Sequence, residues 1–385
     1  MKIVYCTDSI CYAGGIQRIT IAKANALAQI KGNEVWIIVT DNKQKPVLPI
    51  DNKVHIIDLD INYFEDDWKS RWNVVKGIII KRREHKHKLK DILNTIHPDI
   101  VISTGTSEKN FLPQIHVNSH PAFIREIHCT KNYRMLAATN LFDKVLALAG
   151  DCLDYSLFIK NYNKIVVLTE EDKSNNWKNN SQITVIPNPL TSPCKQQATL
   201  EEKKVIAVGR LVYQKNFQSL IKAWVKIASK HPDWKLEIWG EGAMRIELEN
   251  LIEKLNLKRH VFLKGYTYDI QSEMLNASIY AMSSIFEGLP LVLIEAMSCG
   301  LPVVSYTCPC GPKDIIKEGK NGFLVDKNNE SELSEKINYL IENPISRIEM
   351  GKQAKIRSKD YSTSNIIKQW MNLFFTLRKQ RQLYE

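Results

Sequence analysis

Short apolar runs recur along this chain, separated by stretches of helical periodicity, and the whole pattern is run twice. The runs fall at 2–6, 34–39, 53–57, 100–103, 122–128 and 164–168, then at 205–208, 234–239, 261–263, 278–281 and 302–304. Most are apolar nearly throughout instead of alternating, as expected for strands covered on both faces of a parallel sheet. Strands spaced by helices make βαβ units, so the chain is expected to be α/β. Between the two series, 185–202 turns polar and carries Pro187, Pro189 and Pro193, a natural linker. At 385 residues the chain is too long for one ordinary domain. Two Rossmann-like, doubly wound parallel-sheet domains are therefore expected, 1–186 and 187–360, facing a central cleft where strand carboxyl ends gather. Beyond Tyr361, the residues Ile366, Ile367, Trp370, Leu373, Phe374 and Leu377 form a heavy apolar stripe. That predicts a last helix, 361–385, packing at the junction and crossing toward the first domain.

The most informative stretch is 286–305, FEGLPLVLIEAMSCGLPVVS. A Gly-Pro loop leads into a helix that is apolar nearly all round, with Pro290 suited to its first turn. Gly300 supplies a stop before the next buried strand. Glu295 sits in the middle of that helix, and a buried carboxylate is costly unless something hydrogen-bonds to it. Its helical neighbours are Leu291, Val292, Ser298 and Cys299, so a partner must come from another element or a ligand. Glu287 lies eight residues earlier, at the helix mouth, where free N–H groups favour anions. A lone buried Glu is commonly tied to nearby backbone; two framing one loop-helix-strand unit point to a site for a polar, hydroxyl-rich, anionic ligand.

Other loops carry weaker signals. Arg210 and Lys215 flank the loop that follows the first strand of the second domain, suited to clamping a diphosphate or simply to solvated charge. Gly14 and Gly15 precede a helix after the first strand, allowing a backbone to approach a phosphate or making a plain turn. The segment from Gly240 begins like a dinucleotide fingerprint, but Arg245 stands in the third glycine's place, which disfavours a nicotinamide enzyme. His128 ends a first-domain strand, placed for proton transfer or a sugar hydroxyl, or as a structural histidine. Asp58-Leu59-Asp60 matches a metal-binding DxD only formally, and the eight cysteines lack metal spacing, so no metal site is expected and the thiols read as reduced.

The net charge is +11, and its distribution is uneven. From Lys69 to Lys90 nine Lys and Arg face a single acid, Glu84, with Trp68, Trp72 and Ile78–Ile80 interleaved. This basic stretch 69–90 reads first as a membrane-surface element, then as a solvated face; nucleic acid ranks last, since no nucleic-acid motif accompanies it. No apolar run is long enough to span a bilayer and the N-terminus does not read as a signal peptide, so a cytoplasmic protein, peripheral at the inner face of the membrane, is expected.

Together these pieces resemble the retaining glycosyltransferases of the large family 4 ("group 1") with the GT-B fold. The carriers are Gly209-Arg210 with Lys215, Gly240-Glu241-Gly242, and above all Glu287-x7-Glu295 followed by AMSCGLPVV. Gly311-Pro312 and Asn321-Gly322 follow at the family's usual places. The resemblance implies that Arg210, Lys215 and Gly15 hold the diphosphate of a nucleotide-sugar donor, and that Glu295 accepts the ribose hydroxyls. It implies Glu287 and His128 beside the reacting sugar, with backbone of Gly288 and Leu289 assisting and Tyr266 near the base. It further implies a front-face mechanism without a metal cofactor, a UDP-linked hexose or N-acetylhexosamine donor, and a lipid-linked or saccharide acceptor in surface polysaccharide assembly. Two rivals share the architecture: a non-hydrolysing nucleotide-sugar epimerase, which needs no acceptor, and a non-catalytic sugar-nucleotide-binding protein, whose motifs should be eroded.

Overall fold

The structure, a computed structural model, describes all residues except 12–13, 42–45, 47, 64–70, 139, 179 and 383–385, together with the side chains of 71–76, 156–157 and 381–382. The chain forms two compact units. The first comprises Met1–Val167, Asn176–Pro189 and Thr363–Glu385; the second, Leu168–Asn175 and Leu190–Ser362.

The first unit is built on seven parallel strands: β1 (Lys2–Thr7), β2 (Glu34–Val39), β3 (Val54–Asp58), β4 (Ile100–Ser103), β5 (Ala122–Glu126), β6 (Lys164–Val167) and β7 (Ile183–Val185). Their order is β3-β2-β1-β4-β5-β6-β7, so the winding reverses between β1 and β4. Strand alternation explains the continuous apolar runs. Ile3 and Tyr5 point into one core, Val4 and Cys6 into the other. The final helix, Thr363–Gln382, lays Ile366, Trp370 and Phe374 into the first of these cores.

The second unit repeats the plan with β8 (Lys204–Val208), β9 (Lys235–Trp239), β10 (Val261–Gly265), β11 (Ile279–Met282), β12 (Val303–Tyr306) and β13 (Gly322–Val325). The order is β10-β9-β8-β11-β12-β13, all parallel, with the reversal between β8 and β11. Val205 and Ala207 enter one core, Ile206 the other. The helix Leu291–Ser298 presses Leu293, Ile294, Ala296 and Met297 into the latter.

Three expectations are corrected. The strand reading of the first domain stopped at 168 and overlooked β7, three residues long and too short for a periodic signal, which pairs with β6 and ends where the linker stretch begins. The division falls after Pro189, not 186, and Leu168–Asn175 joins the second unit. There the Asp314 carboxylate accepts from the Glu170 and Glu171 amides at 2.8 and 3.2 Å, a tie between residues over 140 positions apart. Pro290 is the N-cap of the helix, not part of its first turn. The basic stretch contributes to a helix, Arg71–Ile96, whose Leu89 and Leu93 are buried; Trp68 and Lys69 lie outside the described residues. Among the described residues no helix is long and apolar enough to cross a membrane.

Candidate functional site

In doubly wound sheets ligands bind beyond the strand carboxyl ends where the winding reverses. In the second unit that place is set by the loops after β8 and β11, and hydrogen bonds stitch the two together. Ile285 N–H donates to the Gln214 carbonyl at 2.8 Å, Gln214 Nε2 to the Phe286 carbonyl at 2.9 Å, and Ser283 Oγ to the Lys215 carbonyl at 3.0 Å. Asn216, left-handed at φ 48°, ends the Lys215 turn and caps the helix Phe217–Lys230.

Lys215 lies across Gly209, where a Cβ would come within 3.2 Å of its Cδ and Cε. Its Nζ reaches Glu287 Oε1 at 2.6 Å, with both side chains largely buried. Glu287 is fixed by its own backbone: its N–H donates to the Pro309 carbonyl at 2.7 Å, and Cys310 N–H donates to its carbonyl at 3.1 Å. The loop after β12 thus grips the loop after β11. The grip needs Gly311, at φ +107°, where a Cβ would sit 2.5 Å from Pro290 Cδ. Sequence reasoning placed Lys215 on a diphosphate and Glu287 on a sugar; it missed that the two pair with each other.

Arg210 is exposed and its guanidinium makes no ion pair or hydrogen bond among the described residues. The Gly288 and Leu289 amides likewise donate to no acceptor among the described residues. Glu295 is buried in its helix. Beneath it, on β11, lies the fully buried Tyr280, whose hydroxyl pKa is pushed up by burial and then by the charges of Glu287 and Glu295. One phenol therefore feels both carboxylates, which the sequence could not show. One unpaired cation, a second paired to a carboxylate, free amides and two carboxylates at one reversal can grip a diphosphate and accept hydrogen bonds from hydroxyls.

The glycines after β9 have a structural role. A Cβ on Gly240 would lie 2.0 Å from the Gly209 carbonyl oxygen, and one on Gly242 would lie 2.4 Å from that of Leu211. They let this loop pack on the Arg210 loop, with Leu211 N–H donating to the Glu241 carbonyl at 2.8 Å. Arg245 pairs with Glu241 and Glu249 at 3.1 and 2.9 Å. Tyr266 stands apart from the reversal. It follows β10 at the sheet edge, two strands from β8, exposed and edge-on to Tyr268 at 5.0 Å.

In the first unit, Gly14 N-caps the helix Gly15–Ala28, and a Cβ on Gly15 would meet nothing within 4 Å. His128 lies just beyond β5 with its side chain 8% exposed, its Nε2 3.6 Å from Glu126 Oε1 and without a hydrogen-bond partner among the described residues. Burial lowers its pKa to about 4; Lys23 and Arg125 push the same way and Glu126 opposes them. The imidazole is therefore neutral near pH 7, able to accept or donate one hydrogen bond but not to bring charge. It lines a cavity of about 340 Å³ with Arg125, Lys109, Arg134, Tyr155 and Tyr162. Beside it Lys23 and Glu126 form a fully buried pair, Lys23 Nζ 4.6 Å from the Trp370 ring centroid. Nothing in the sequence flagged that pair, whose members are 103 residues apart. Deeper still, Glu108 accepts from Ser103 Oγ at 2.7 Å and from Gly105 N–H at 3.1 Å. Burial raises its pKa to about 7. Among the described residues no group of three His, Cys, Asp or Glu is placed to hold a metal.

Two doubly wound units, the second with cations, free amides and two glutamates at its reversal, are the architecture of the GT-B fold, and solved GT-B structures superpose on it. Residues 192–357 match the model of the glycosyl transferases group 1. An uncharacterized glycosyltransferase of Haemophilus influenzae is 31% identical over 97% of this chain and 99% of its own length. The chain belongs to the group 1 glycosyltransferases. An N-acetylgalactosamine-N,N'-diacetylbacillosaminyl-diphospho-undecaprenol 4-alpha-N-acetylgalactosaminyltransferase of Campylobacter jejuni is 32% identical over 44% of this chain and 46% of its own. Among solved structures, a Staphylococcus aureus TarM mutant in complex with fondaparinux, alpha-GlcNAc-glycerol and UDP superposes with TM-score 0.76. It is 19% identical and the match covers 97% of this chain and 99% of that one, a likeness of fold.

Proposed function

We propose that this chain is a retaining family 4 enzyme that moves a hexose or N-acetylhexosamine from a UDP-sugar to a hydroxyl of a lipid-linked saccharide, in surface polysaccharide assembly. The observation that carries the reading is the Lys215–Glu287 pair at 2.6 Å beside the unpaired Arg210, at the sheet reversal. On donor binding, Arg210, Lys215 and the Gly288 and Leu289 amides take the charge of the leaving diphosphate, with Gly15 approaching it from the first unit. Glu287 then faces the donor sugar and Glu295 accepts the ribose hydroxyls. His128 supplies an uncharged hydrogen-bonding group beside the reacting sugar, and Tyr266 flanks the base. No metal is needed for charge that these groups neutralise. The undecaprenol-linked substrate of the Campylobacter relative and the UDP of the TarM complex support the acceptor and donor classes. The basic stretch 69–90 holds the enzyme at the inner face of the cytoplasmic membrane.

The test is a nucleotide-sugar screen with a polyprenyl-diphosphate saccharide, read by mass spectrometry for a glycosylated lipid, with and without EDTA. Transfer that survives EDTA and is lost in a folded Glu295→Ala variant is the expected result. Full transfer by Glu295→Ala would overturn the site, and donor conversion without acceptor would favour the epimerase.

A further inference from the structure

The helix Leu141–Cys152 of the first unit is built inside out. It is a genuine helix, capped by Asn140, whose side chain accepts from the Asp143 amide at 2.8 Å. The face it turns to the protein is small and polar. Ala147 is buried, Asp151 pairs with Arg134 at 2.9 Å, and a Cβ on Gly150 would touch Arg134 Nη1 at 3.2 Å. Its outward face carries Leu141, Phe142, Val145, Leu146 and Leu148, continued by Leu153, all between 51% and 78% exposed. A helix on a globular surface normally does the reverse. A contiguous apolar patch of this kind marks something that covers it.

The neighbouring surface says what the cover is. At the far end of the segment Leu153–Phe158 that continues the helix, Phe158 shares a groove of about 340 Å³ with Ile79, Arg82, Arg83, Lys86 and Phe111. The acids on that basic helix are already engaged, Glu84 with Lys88 at 2.8 Å and Asp91 with His87 at 2.9 Å. Arg82, Arg83 and Lys86 are exposed and pair with no carboxylate among the described residues, and Arg82 lies 5.6 Å over the Phe111 ring. An apolar helix joined through Phe158 to a groove of unneutralised cations complements acyl chains beneath phosphate headgroups.

We propose that Leu141–Leu153 is a membrane-inserting element that docks the first unit onto an anionic bilayer, with Arg82, Arg83 and Lys86 on lipid phosphates. This builds on the membrane reading above but assigns insertion to a second element, which the basic stretch alone does not predict.

Sedimentation with vesicles of phosphatidylcholine, alone or mixed with phosphatidylglycerol, tests it without donor or acceptor, so its outcome is independent of the transfer assay. Wild type should partition to the mixed vesicles. The double variant Phe142→Glu, Leu146→Glu should partition roughly a hundredfold less, each lost apolar anchor being worth about tenfold, with an unchanged melting curve because both sites are exposed. Arg82→Glu with Arg83→Glu should abolish the preference for the mixed vesicles, and its failure to do so would remove the basic groove alone. Three results would overturn the insertion: no partition by wild type, equal partition by the Phe142/Leu146 variant, or a wild-type dimer that this variant dissociates, which would make a second copy the cover.

Discussion

At the scale of single residues, the second unit's cations differ in kind. Lys215 is ion-paired and mostly buried; Arg210 is exposed and unpaired. Arg210→Ala should therefore raise KM for the donor about tenfold or more while leaving thermal stability unchanged. Lys215→Ala strands the Glu287 carboxylate, so it should lower both stability, by about 2–3 kcal/mol, and kcat, by roughly a hundredfold. Steady-state kinetics beside a melting curve separates the two. In the first unit two buried groups titrate in opposite senses. His128 ionises near pH 4 folded and 6.5 unfolded, so between these values only the unfolded chain holds the proton. Its contribution is complete above pH 6.5 and is lost toward pH 4, by up to about 3 kcal/mol. Glu108, at about 7 folded against 4.5, contributes at low pH and loses that contribution as pH rises through 7. Hydrogen exchange of β4 and β5 against pH should show His128→Gln blunting the loss on acidification from pH 6.5 and Glu108→Gln the loss on raising pH from 4.5 to 7.

At the scale of elements, glycines decide which loops meet. The Gly240 motif is a failed dinucleotide fingerprint in sequence, and in the fold a contact surface for the Arg210 loop. Gly240→Ala would put a methyl group 2.0 Å from a backbone oxygen at φ +136°. It should displace the Arg210 loop, raising KM for the nucleotide-sugar donor at least tenfold and lowering stability by about 1–3 kcal/mol. The helix Leu291–Ser298 was readable in advance because its apolar residues and the Gly after it are local signals. The pairing of Glu287 with Lys215, across the sheet reversal, was not.

At the scale of the whole molecule, each unit has its own cores, and the last helix belongs to the first unit's core although it is farthest from it in sequence. Trp370 is fully buried there, against Lys23 and Phe374. Trp370→Ala should cost the first unit about 3–5 kcal/mol. Hydrogen exchange should rise in β1 and β2 and stay unchanged in β8–β13; a uniform rise would show that the units do not unfold separately. Period and spacing are local properties of the chain, so the alternation of strands and helices, apart from the short β7 and β13, the doubling of the pattern and the Arg210, Glu287 and Glu295 motif were legible in the sequence. Which charges neutralise each other, that His128 is kept neutral, and that one helix turns its apolar face outward emerge only in the folded chain. Those outcomes depend on distance and burial between residues far apart in sequence, and local spacing carries no information about either.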